Sequence, residues 1–146
     1  EKNVKWVTRI ELLDHQTKQF YEQQGWGPSF RINTTSRFDS PDFDQPVKFA
    51  NPITLRGTAF GGDRGVSRVE VSMDNGATWR AAEITYKSSP LAWVQWRFDW
   101  SPPGPGEYPL AVRAMDGNGE VQSGVDKSSG PEPATGYQRV TAKLQS

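Results

Sequence analysis

From Ile53 onward the chain alternates apolar and polar residues with a period of two. Ile53, Leu55 and Ala59 fall on one phase; Thr54, Arg56 and Thr58 fall on the other. Val69, Val71 and Met73 alternate with Arg68, Glu70 and Ser72, and Val94, Trp96, Phe98 and Trp100 with Trp93, Gln95, Arg97 and Asp99. Tyr108, Leu110, Val112 and Ala114 make the cleanest apolar stripe, and Val140, Ala142 and Leu144 the last. Successive side chains of a strand point to opposite faces, so each run predicts a strand with one buried face. The Val94/Trp96/Phe98 and Leu110/Val112 faces are expected to meet in one core, and Trp79, Trp96 and Trp100 are assigned to it. Trp93 falls on the opposite phase from Val94 and Trp96 and is expected to point outward.

Turn residues separate these runs. Asp74-Asn75-Gly76-Ala77 predicts a tight hairpin leading into a strand around Trp79–Ile84, because Asn-Gly accepts the positive φ such turns need. Pro102-Pro103-Gly104-Pro105-Gly106 cannot lie in a central strand and reads as a connection, and Asp116-Gly117-Asn118-Gly119 as another turn. No segment has a convincing 3.6-residue period, so helix is expected to be scarce. Short strands at regular spacing predict an all-β, immunoglobulin-like antiparallel β-sandwich over about residues 47–146. Residues 1–46 read as an extended N-terminal, interdomain segment. Within it Asp14–Pro46 fits no element. Its aromatics, among them Phe20, Trp26, Phe30, Phe38 and Phe43, are expected to pin it to the sandwich or to a neighbouring domain.

Composition narrows the functions. At 146 residues the chain suffices for one domain, and a chain of this size buries roughly 68–70% of its unfolded surface. Seventeen basic and seventeen acidic residues cancel, and no basic cluster argues for nucleic acid. There is no cysteine, which excludes a disulfide framework, a thiolate metal ligand and a cysteine nucleophile. The compartment is left open by this, with the periplasm favoured. No run is long and apolar enough to span a membrane. The chain opens at Glu1 inside a strand-like pattern and is expected to be a piece of a longer protein.

The search for a catalytic centre finds none. The one histidine, His15, stands in a polar stretch without a second ligand nearby. Asp39, Asp42 and Asp44 read as a solvated acidic loop, because a calcium loop needs more oxygen ligands in a defined order. Gly61-Gly62-Asp63-Arg64-Gly65 joins two strands and opens no helix, so it lacks what makes a phosphate loop work. An outward Trp93 near Arg97 suits an interface, where both residue types are enriched; a sugar-stacking platform or a covered sheet edge is the alternative.

Several stretches resemble the C-terminal part of the sulfite oxidase family, the molybdopterin oxidoreductases that include assimilatory nitrate reductases. They are Asn3–Ile10, the run Gly57–Trp79, Ala92–Trp100, Arg113–Asp116, Val121-Gln122 and Gly136–Val140. Asp63 stands where family members often have a third glycine, and Gly130–Ala134 is shorter than the corresponding eukaryotic segment. The resemblance implies a dimerisation domain that makes a homodimer; together with the outward phase of Trp93 and Arg97, it leads us to expect those two residues at the interface. It implies no cofactor in this chain; the molybdenum–molybdopterin of the parent enzyme is held through a cysteine in a preceding domain. Lys5 is implied as a cofactor-binding residue and Arg64 as a substrate-binding residue for an oxyanion such as sulfite, since sulfite oxidases have Arg there and nitrate reductases tend to have Lys. The plain alternative for Arg64 is a solvated turn residue or one paired locally with Asp63. The competing readings of the whole chain are a free-standing β-sandwich module binding carbohydrate or protein, and an adhesion-type structural domain.

Overall fold

The computed structural model describes residues 5–27, 31–127, 130 and 133–146. Among these, two sheets face each other. One orders its strands β1 (Thr35–Ser40), β3 (Ile53–Phe60), β7 (Val94–Trp100), β6 (Glu83–Tyr86); the other orders β2 (Val47–Lys48), β9 (Gln138–Gln145), β8 (Gly106–Asp116), β4 (Val66–Ser72), β5 (Arg80–Ala81). Every pairing is antiparallel except that of β2 with β9, which is parallel. The fold is an immunoglobulin-like β-sandwich. Among the described residues the one α-helix is the four-residue α1 (Phe20–Gln23).

The alternating faces meet as their periodicity requires. Leu55, Val69, Val71, Val94, Trp96, Phe98, Leu110, Val112 and Ala114 are buried in one cluster with Trp100, Ala142 and Leu144. Tyr108, at the start of β8, donates its hydroxyl to the Gly104 carbonyl at 2.8 Å and sets its ring edge-on to Trp100 at 5.0 Å. This is the tyrosine corner of immunoglobulin-like sandwiches, where a Tyr hydroxyl ties the strand to the connection just upstream. Two residues on stands Leu110, fully buried, at the place where disulfide-bonded relatives of this architecture carry cysteine. Apolar packing fills that place here.

Three sequence expectations are corrected. Residues 35–40, inside the stretch that fitted no element, form β1 and pair with β3. Only Ser36 and Phe38 of that strand point inward, too short an alternation to stand out. The expected strand around Trp79–Ile84 is two strands: Arg80–Ala81 pair with β4 and Glu83–Tyr86 with β7, so the chain changes sheets at Ala82. Trp79 is outside the inter-sheet core. The register sets Arg80 opposite Val71 and Ala81 opposite Glu70, which turns Trp79 to the outer face. There the Arg113 guanidinium lies 4.2 Å from its ring centre and Tyr137 meets it edge-on.

The Asn-Gly hairpin forms as the sequence predicts. Asn75 and Gly76 both have positive φ, and Ala77 N–H closes the turn on the Asp74 carbonyl at 3.3 Å. The Asp74 carboxylate accepts from the Ser72 hydroxyl at 2.6 Å and from the Thr78 hydroxyl and N–H at 2.6 and 2.8 Å. These donors, Ser72 foremost, pull its pKa down to about 2.

Candidate functional site

The residues singled out from the sequence lie in separate places. Arg64 sits at one end of the sandwich, where β3 returns into β4 through a 3₁₀ turn, Gly62–Arg64. Gly62 has φ +64°, and a Cβ there would come within 3.5 Å of Arg64 Nη1. Glycine suits that backbone conformation, and it lies in van der Waals reach of the guanidinium.

Arg64 is not a solvated turn residue: its side chain is 9% exposed. Its main partner is not Asp63, whose carboxylate is 3.5 Å from Nη1. Nε donates to Asp116 Oδ2 at 2.5 Å, and Nη2 to the Ile32 carbonyl at 2.9 Å and the Thr34 hydroxyl at 3.4 Å. Asp116 is wholly buried. Its Oδ1 accepts the N–H groups of Asn118 and Glu120 at 2.9 and 3.0 Å. Burial pushes the Asp116 carboxyl up, but the hydrogen bond from Arg64 and the Glu120 and Asn118 N–H groups outweigh it and hold its pKa below the usual carboxylate range.

The segment preceding β1 is tied down at this end. Besides the bonds from Arg64, Arg31 pairs with Glu120 at 2.5 Å, and the Asn33 amide donates to the Pro133 and Ala134 carbonyls at 3.3 and 3.2 Å. An open groove lined by Arg31, Ile32, Gly62, Asp63, Arg64 and Asn118 runs over the site. Lys5 stands exposed in the N-terminal arm and is not among the residues that line the groove.

Trp93 and Arg97 belong to the outer face of the four-stranded sheet. Trp93 is 47% exposed and stacks on Phe60 with ring centres 5.2 Å apart and planes 16° apart. The Arg37 guanidinium lies 5.7 Å from the Trp93 ring centre. Arg97 pairs with Asp99 at 2.6 Å and reaches Glu83 at 4.0 Å, and Arg37 pairs with Asp39 at 2.7 Å. The face therefore alternates positive and negative charge around an aromatic pair.

Sequence reasoning missed Asp116, Phe60 and the Ile32–Thr34 segment. Asp116 had a signal: it continues the inward phase of Tyr108, Leu110, Val112 and Ala114, and a carboxylate on a buried phase requires a cation. Phe60 occupies the outward phase of β3 after Thr58, which makes it a neighbour of Trp93 once the strands are paired. Nothing in the alternation marks Ile32–Thr34.

Among the described residues no three His, Cys, Asp or Glu side chains are placed to share a metal ion, and the sequence has no cysteine. The donor set needed to hold molybdenum through a thiolate is therefore not in this chain, and no chemical step on the metal is derived from it.

Residues 28–128 match the family described as the Mo-co oxidoreductase dimerisation domain. The chain is similar to the NADH nitrate reductase of Volvox carteri, 32% identical over 127 residues, covering 66% of this chain and 15% of that protein. It is also similar to the mitochondrial sulfite oxidase of Homo sapiens, 27% identical over 143 residues, covering 83% of this chain and 26% of that protein. Among solved structures, the sulfane dehydrogenase SoxCD from Paracoccus pantotrophus aligns with a TM-score of 0.65 and 25% identity, over 78% of this chain and 33% of that one. The chain thus spans a sixth to a quarter of the length of these two curated relatives.

Proposed function

The chain belongs to the Mo-co oxidoreductase dimerisation domain family, and on that premise we propose that it is the C-terminal dimerisation domain of a sulfite-oxidase-like, molybdenum cofactor-dependent oxidoreductase. The parent holds molybdenum–molybdopterin in a preceding domain, which supplies the redox chemistry. This chain contributes the contact between two copies and one basic side chain, Arg64, to the pocket for an oxyanion such as sulfite. The family match over most of the sandwich carries the reading.

The outer face bearing Trp93 and Arg97 is the surface that suits the pairing. A twofold contact apposes one patch with itself, so the patch has to be self-complementary. Arg37, Arg56 and Arg97 alternate there with Asp39, Glu83 and Asp99 around the exposed Trp93. Phe60 already covers one face of the Trp93 ring, which weighs against a sugar-stacking platform. Lys5, in the arm that precedes the sandwich, is assigned to the cofactor side of the interdomain contact.

For the anion, arginine offers a planar fork of donors and stays charged at working pH. Asp116 and Asp63 offset much of that charge, so Arg64 acts through directed N–H donors more than through net field. In the full-length enzyme Arg64→Gln should lower kcat/KM for sulfite by roughly 10–100-fold, as expected for loss of one charge-assisted hydrogen bond of about 1.5–3 kcal/mol. Unchanged kcat/KM would remove Arg64 from the pocket and leave it a structural role. The pairing is tested separately, by the mass of the full-length protein in solution.

A further inference from the structure

We infer that Asp116 is a positioning residue: a carboxylate that does not face the groove decides which edge of the Arg64 guanidinium the groove sees. The inference rests on the anion reading of Arg64 given above. An arginine at the end of a long side chain ordinarily samples many rotamers, and fixing it is costly in entropy. Here three of its directions are spent. Nε is held by Asp116 Oδ2 at 2.5 Å, and Nη2 by the Ile32 carbonyl and the Thr34 hydroxyl. Asp116 cannot swing away to release Nε, because its second oxygen is anchored by two backbone N–H groups of the turn that follows β8.

What remains is the Nη1 edge. Its protein partner is Asp63 at the long distance of 3.5 Å, and Asp63 is itself largely exposed. That edge lies beside Gly62, which has no side chain to cover it, and Gly62, Asp63 and Arg64 all line the groove. An anion entering from the groove thus meets a guanidinium already oriented, and Asp63, on its exposed side chain, is free to move aside. Pre-orientation of this kind raises affinity by removing the cost of ordering at the moment of binding.

The test is a double-mutant cycle in the full-length enzyme with sulfite as the probe, using wild type, Asp116→Asn, Arg64→Gln and the double variant, each with its thermal melt. If Asp116 acts through Arg64, Asp116→Asn lowers kcat/KM roughly tenfold, chiefly through KM, and adds no loss on the Arg64→Gln background. Equal losses on both backgrounds mean that Asp116 only supports the fold, and overturn the inference; so does an Asp116→Asn enzyme with unchanged kcat/KM while Arg64→Gln is impaired. An unimpaired Arg64→Gln enzyme overturns the anion reading itself, and the inference with it. Should Asp116→Asn fail to fold, Thr34→Val carries the same cycle. It removes only the 3.4 Å contact to Nη2, and a smaller loss on the wild-type background that vanishes on Arg64→Gln is the supporting result. Loss on both backgrounds, or on neither, overturns it.

Discussion

Trp96→Ala should lower the unfolding free energy by about 3–5 kcal/mol, the range for removing a fully buried large aromatic. Trp96 is 1% exposed in the centre of β7. Its ring stands edge-on to Phe38 at 5.6 Å, which joins β1 and β7 across the intervening β3. Alanine would leave a cavity that the surrounding strands, held by ladders on both sides, cannot close. One detail sets a second comparison. Among the described residues the buried Trp96 indole Nε1 has no hydrogen-bond partner, and a buried donor left unpaired by protein is a cost that the packing has to offset. Trp96→Phe gives up some volume but removes that donor, so it should cost clearly less than alanine. Urea unfolding reads both as shifts of the midpoint at constant slope. An alanine variant as stable as the wild type would show that this face is not the core.

Gly57→Ala should also destabilise, by about 3 kcal/mol, at the upper end of ordinary overpacking. The sign is informative. Glycine inside a strand is ordinarily a weakness of roughly 0.5–1 kcal/mol relative to alanine, so replacing it elsewhere would help. Gly57 occupies the inward phase of β3 between Leu55 and Ala59 and pairs with Phe38 on one side and Trp96 on the other. A Cβ there would collide with the Arg37 carbonyl oxygen and with the Trp96 ring. The indole lies over the strand where the side chain is missing. The same urea titration checks it, and part of the loss should return when Gly57→Ala is combined with Trp96→Phe, whose ring is smaller. An alanine variant at least as stable as the wild type would contradict this packing.

The sandwich was legible because its inner strands are long and half buried. Val69/Val71, Val94/Trp96/Phe98 and Leu110/Val112 each supply a clean period of two, and Asn75-Gly76 names its own turn. What could not be read has physical reasons. β1 offers only Ser36 and Phe38 to the core, with a serine where an apolar residue would have revealed it; the Ser36 hydroxyl is buried and bonded to Gln122. The sheet switch at Ala82 depends on two short pairings with different partners, and Trp79 follows the register of the first of them rather than its own hydrophobicity. The end that holds Arg64 is assembled from residues far apart in sequence: Ile32 and Thr34, Arg64, and Asp116. Arg64 itself stood out only through its glycine-rich surroundings and a family likeness. Its burial against Asp116 emerged from the tertiary structure, although the carboxylate on a buried phase of β8 was a signal that could have been used.

The central claim is that this domain pairs two copies of its parent enzyme, and the mass of the full-length protein in solution tests it most directly. Sedimentation velocity at micromolar concentration should give a dimer, because an obligate interface of this kind buries more than about 2,000 Å². Arg97→Glu, which breaks the alternation of charge on the outer face of β3 and β7, should move it toward monomer. A wild-type protein that sediments as a monomer at that concentration would contradict the account.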